Sequence, residues 1–223
     1  MAIILLVNTL KSNRVEMCKK YRCLPVFCSI FLIAISANAN ECISYKTTPQ
    51  IIINTPDYTM DVIRSNTHKN LLHGNVVATM IDNYDIVADV VSVDGGFCVV
   101  LKSVDAIIGY NDFLVKIDMR HEPDSCSYNA ILSHEMEHIG TYLSVINDYK
   151  SELHSSLFSA ANSIMPIFIT DKNDADNAIN MLNQKLQSHP DVILTLQKIH
   201  ADEEIKNKNI DATEDYSELK KCL

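Results

Sequence analysis

Residues 124–166 read DSCSYNAILSHEMEHIGTYLSVINDYKSELHSSLFSAANSIMP. Apolar side chains recur at Leu132, Met136, Ile139, Leu143, Ile146, Leu153, Leu157, Ala160 and Ile164, a three-four alternation interrupted only at Lys150. That spacing is one face of a 3.6-residue helix. Asp124 and Ser125 stand ready as N-caps just after Pro123, and Pro166 marks the far end. Only Gly140 lowers helix propensity between them. The stretch therefore predicts one unusually long amphipathic helix, which needs a partner surface.

The partner lies on the N-terminal side, where residues 43–119 read mostly as strand. CISYKTTPQIIIN (42–54), IVADVVSV (86–93), FCVVLKSVDAIIGY (97–110) and FLVKIDM (113–119) are rich in β-branched residues. Asp94-Gly95-Gly96 and Asn111-Asp112 read as the turns between them. The expectation is a small antiparallel meander of three or four strands, with one short helix in residues 57–75. On the C-terminal side two shorter helices are expected, about Asp174 to Gln187 and Val192 to Asn207, then a polar tail ending near Cys222. The fold class is α+β: a small antiparallel β-meander followed by the long helix and two shorter ones.

The first 39 residues are set apart from this domain. Lys19, Lys20 and Arg22 precede an apolar core from Cys23 to Ser36, and Ala37-Asn38-Ala39 has the small residues of a cleavage site, so residues 1–39 read as a cleaved signal peptide, with Met17 as a possible true start. The apolar core is shorter than the ~20 residues that span a bilayer, and no integral membrane segment is expected in the mature chain, residues 40–223, read as a single domain. Removing five basic residues and one acidic one from 19 and 28 leaves 14 and 27, a formal charge of −13. Such a chain is repelled by phosphate backbones, so nucleic acid is not an expected partner. The expected location is secreted or periplasmic. Cys42, Cys98, Cys126 and Cys222 remain after the cut, an even count that suggests two disulfides in an exported protein. Sequence allows three pairings; the favoured one joins Cys98 to Cys126 and Cys42 to Cys222.

Within the long helix, His134, Glu135 and His138 form HExxH. One helical turn stacks the two imidazoles ~5–6 Å apart on one face, where they can take two corners of a zinc ion. Glu135 projects ~100° around the helix, beside the metal, positioned to act as general base on a water. The expected cofactor is Zn2+, with His134 and His138 as ligands and Glu135 as the catalytic residue. At this chain's His and Glu content, chance supplies the pattern only roughly 0.01 times.

In this order of elements, a β-meander followed by HEMEH on a helix, the chain resembles the zincin metallopeptidases. The resemblance is confined to His134, Glu135, His138 and the coarse order, and identifies no subfamily. It implies hydrolysis of a peptide or protein substrate, with the helix under an antiparallel sheet and the substrate along its edge strand. It also implies a third protein ligand. The extension HExxHxxGxxH is absent: Ile139, Gly140 and Thr141 follow His138, with no third histidine in place. No carboxylate stands near Phe158, where a glutamate ligand on a following helix would fall. Glu152 and His154 lie ~21–24 Å from His138 if the helix is unbroken, and qualify only if it turns back. His200, Glu203 and Glu204 on the last helix, and His121 and Glu122 ahead of the motif, remain open. The alternative from a different class is a non-catalytic exported metal-binding or helical interaction protein in which HExxH is degenerate or incidental.

Overall fold

The computed structural model describes residues 41–66, 73–213 and 221–222. The signal segment expected in residues 1–39 and the polar stretch 214–220 lie outside them.

After a 3-10 turn at Cys42–Tyr45 come β1 (Gln50–Asn54), β2 (Thr59–Ser65), β3 (Gly74–Val93) and β4 (Gly96–Asp118). They are followed by α1 (Cys126–Ser163), β5 (Ile167–Ile169), a 3-10 turn at Lys172–Asp174, α2 (Ala175–Gln187) and α3 (Pro190–Thr213). The architecture is α+β. β3 and β4 make one very long hairpin, closed by Asp94-Gly95, where Gly95 takes φ +76°. That left-handed conformation costs glycine little and other residues more.

The sheet departs from the expected antiparallel meander. β4 is its axis: β3 pairs antiparallel along one edge, while β5, β1 and β2 line up along the other, with β1 and β2 running parallel to β4. The expected short helix in 57–75 is instead β2 over Thr59–Ser65, and residues 67–72 are outside the described set. The expected turn at Asn111-Asp112 is a bulge inside a continuous strand. Thr79 pairs with Asp112 but Met80 with Tyr110, leaving Asn111 as an extra residue, and the step from Val87–Ser103 to Ala88–Leu101 leaves Lys102 likewise.

Each bulge shifts the side-chain alternation by one residue. The buried series therefore changes parity twice, from Val99 and Leu101 to Val104, Ala106, Ile108 and Tyr110, and then to Phe113, Val115 and Ile117. All of these remain on the face that α1, α2 and α3 cover, forming one core with Ile139, Leu153, Leu157, Leu182 and Ile199. Each fully buried side chain of this size contributes about 1.5–3 kcal/mol.

α1 is unbroken over its 38 residues, as its apolar spacing predicts, and Ser125 Oγ caps it by accepting from Tyr128 N at 3.1 Å. It runs back along the sheet: Tyr142 packs against Tyr110 and Phe113 of β4, with ring centroids 4.9 and 6.2 Å away. α3 lies antiparallel to α1, in a register fixed by Ser159–Asp191 at 2.9 Å, Ser156–Thr195 at 2.7 Å, Glu152–Lys198 at 2.6 Å and Asp148–Lys206 at 3.2 Å. This register carries the last turns of α3 back to the HExxH segment.

Two disulfides are present, with a pairing that differs from the favoured one: Cys42–Cys98 and Cys126–Cys222. Cys98 begins β4, whereas Cys126 follows its far end, and the 20 residues from Cys98 to Asp118 measure roughly 65 Å along an extended strand. Cys42 instead sits beside Cys98 and Val100, closing a small second cluster with Phe168. Cys222, beyond α3, returns to the first residue of α1.

Candidate metal centre

His134 and Glu135 are buried, 9% and 3% exposed. The His134 and His138 rings are 4.8 Å apart between centroids and nearly perpendicular, with their Nε2 atoms 3.2 Å from each other. Asp211, near the end of α3, completes a triangle: its Oδ1 is 3.4 Å from His134 Nε2 and 3.1 Å from His138 Nε2. These are the three residues among those described whose donor atoms converge as a metal-binding group.

The triangle can be tested against an ion. Donors at ~2.0–2.1 Å from a tetrahedral zinc lie ~3.3 Å from one another, so edges of 3.1, 3.2 and 3.4 Å fit three of its four corners. The three donors line a cavity of about 410 Å³ together with Gly74, Asn75 and Val76 of β3, Glu135 and Tyr142 of α1, and Asn207 of α3. Two imidazole nitrogens and one carboxylate oxygen are a mixed donor set that suits first-row divalent metals better than calcium or magnesium, which take oxygen ligands.

Asn207 orients one of the two imidazoles. Its Oδ1 lies 2.8 Å from His138 Nδ1 and can only accept, so Nδ1 carries a proton and Nε2 is the ring nitrogen left to face the shared point. Asn207 and Asp211 are four apart on α3, so they share a face just as His134 and His138 do on α1.

Glu135 is held from the other side. A Cβ built on Gly74 would fall 2.5 Å from Glu135 Oε1 and 2.7 Å from Ile131 Cγ2, so the carboxylate packs directly against a bare Cα of β3. Tyr142, one turn beyond His138, has its phenol ionisation pushed up by burial and by the carboxylates of Glu203, Asp211 and Glu135. It therefore remains a hydrogen-bond donor at neutral pH.

The other candidates lie elsewhere. Glu152 binds Lys198 Nζ at 2.6 Å, and the His154 ring stacks near Phe158, both well along the unbroken helix. Glu122 pairs with Arg64 at 3.0 Å, and Glu204 with Lys208 at 2.5 Å. His121 Nε2 meets His73 Nδ1 at 3.0 Å, and its Nδ1 meets Ser127 Oγ at 3.0 Å. His200 and Glu203 face each other at 3.3 Å beside the adjacent cavity. Asp211 was not among the expected ligands, because α3 was expected to end at Asn207, one turn short of it. Its one sequence signal is the Asn-x-x-x-Asp spacing, which gains meaning only from the pairing of α1 with α3. No protein-family model matches the chain, and neither does any curated protein or solved structure.

Proposed function

We propose that this chain is an exported zinc-dependent metallopeptidase. The observation that carries the reading is the convergence of His134 Nε2, His138 Nε2 and Asp211 Oδ1 beside the buried Glu135 carboxylate, at the wall of an open cavity. These three residues would hold the ion, and Asp211 would be the third ligand that the zincin resemblance requires. A zinc ion bound there supplies an acidified water and an electrophile for a carbonyl.

The rest of the chemistry belongs to the chain. Glu135 takes a proton from the attacking water and passes it to the leaving amine; general acid–base help of this kind typically contributes about 10²–10⁴-fold. Gly74 keeps that carboxylate in place by offering it no side chain. Asn207 keeps His138 in the ligating tautomer. Tyr142 lines the same cavity and is an O–H donor available to a carbonyl oxygen that gains charge. Among the described residues β3 pairs only with β4, so the Gly74–Val76 segment offers unpaired backbone groups on which an extended peptide can align.

Export is supported by the signal pattern in residues 1–39 and by two disulfides, which persist in oxidising compartments. No described helix is long and apolar enough to cross a membrane. Glu135→Gln tests the mechanism: one zinc per chain should be retained, with hydrolysis of a quenched fluorescent peptide library lost. Full hydrolysis in that variant would remove Glu135 from the reaction.

A further inference from the structure

Next to the metal cavity, and sharing Tyr142, Asn207 and Asp211 with it, lies a second cavity of about 430 Å³. We propose that this cavity, bounded by Ala78, Met80, Tyr110, Tyr142, Glu203 and Glu204, is a subsite for a basic side chain of the peptide substrate. The inference rests on the peptidase reading for its substrate, and on the second cavity alone for its charge preference.

Its walls are apolar and aromatic. Ala78 and Met80 continue the face of β3 that begins with Gly74 and Val76, and the Tyr110 and Tyr142 rings pack together at 4.9 Å. Such walls suit the methylene stem of lysine or arginine and can take its charge against an aromatic face. The polar side of the cavity is acidic. Glu203 is 3% exposed, its Oε2 faces His200 Nδ1 at 3.3 Å, and besides the neighbouring Tyr110 phenol its Oε1 has no hydrogen-bond partner among the described residues. A buried carboxylate held only by a phenol and an imidazole keeps part of its desolvation cost, which an incoming cation offsets. Burial lifts the Glu203 carboxyl above its ordinary range against hydrogen bonds from Tyr110 and His200 that lower it, and burial together with the hydrogen bond to this carboxylate pushes up the Tyr110 phenol. Lys208, the one lysine on the rim, is already committed to Glu204 at 2.5 Å.

The spacing suits one substrate chain. Asp211, Asn207 and Glu203 follow at four-residue steps on α3, which places Glu203 ~12 Å along the axis from the metal ligand. An extended peptide covers that distance in about three to four residues, and a long side chain shortens it further.

The test uses alanine heptapeptides carrying one arginine, scanned through the positions, and the same peptides with uncharged citrulline instead. Binding is measured by calorimetry to zinc-loaded Glu135→Gln protein, and cleavage with the parent enzyme. In at least one register arginine should be preferred by about tenfold or more, the lower range for a charge-assisted contact. Adding Glu203→Gln, which is isosteric, should reduce that preference to near unity with zinc content retained. Equal binding of arginine and citrulline in every register overturns the subsite, and that comparison needs no change at position 203. A preference that survives Glu203→Gln overturns the assignment to Glu203. Arginine-selective binding without cleavage by the parent enzyme would leave the subsite standing and remove the peptidase reading.

Discussion

Gly74→Ala is the smallest change that should disable the proposed chemistry without touching a ligand. The added Cβ would lie 2.5 Å from Glu135 Oε1 and 2.7 Å from Ile131 Cγ2. Ordinary contact begins near 3.4 Å, so one side must give by about 0.9 Å at the carboxylate and about 0.7 Å at the isoleucine. Both obstacles belong to α1, so a backbone shift would have to part β3 from a helix whose neighbouring residues are in the core. The carboxylate, attached through three rotatable bonds, gives more easily. A misplacement near 1 Å at a reacting group costs about 10²-fold, which corresponds to about 2.7 kcal/mol of barrier. The expected result is a kcat/KM about 10²-fold lower on a quenched fluorescent peptide, with zinc stoichiometry unchanged and only a small loss in Tm. Gly140→Ala is the control, because a Cβ there meets nothing within 4 Å on an exposed helix face. It should keep full activity and gain about 0.5–1 kcal/mol from helix propensity. Undiminished kcat/KM in Gly74→Ala would show that Glu135 is not held where the proton transfer needs it.

Asn207→Ala should weaken zinc binding by about 10–100-fold, read by competition with a chromophoric chelator, because His138 loses the acceptor that fixes its tautomer. The Cys126→Ser, Cys222→Ser double variant opens a loop of sequence separation 96, which corresponds to roughly 4–5 kcal/mol of stability in the chain-entropy account. Denaturant titration should show that loss, with weaker zinc binding because the bridge ties the chain beyond Asp211 to the start of α1. His73 and His121 both titrate below their ordinary 6.5, chiefly through burial, with the charge of His73 next in lowering His121, Arg120 lowering both and Asp118 raising both. The unfolded chain therefore binds protons that the folded chain does not, so this stabilisation is complete above pH 6.5 and is lost as pH falls through it. In chelator-treated protein, Tm should fall between about pH 7.5 and 5.5, and the fall should shrink in His121→Asn.

The helices were legible because each carries its own period. The spacing from Leu132 to Ile164 specifies α1 almost to the residue, and α2 follows the expectation as closely. The sheet was less legible. Two bulges reset the alternation in β4, so a strand of 23 residues looks like two strands with a turn at Asn111. The parallel pairing of β1 and β2 leaves no local trace, since neither is joined to β4 by a hairpin. In the candidate metal site, His134, Glu135 and His138 were legible because a single helical turn creates their geometry. Asp211, Asn207 and Gly74 were not, because they reach the site through helix pairing and strand packing. Asp211 also sits in a polar stretch whose composition hides a continuing helix. The disulfides show the same division: their existence follows from the cysteine count, and their pairing only from where β4 ends.

The most direct test of the account is an anomalous difference map, recorded at the zinc edge from crystals of the zinc-loaded protein. One peak should lie within about 2.0–2.2 Å of His134 Nε2, His138 Nε2 and a carboxylate oxygen of Asp211 together. A peak bound by other residues, or no peak at these three from protein that nonetheless cleaves peptides, would contradict it.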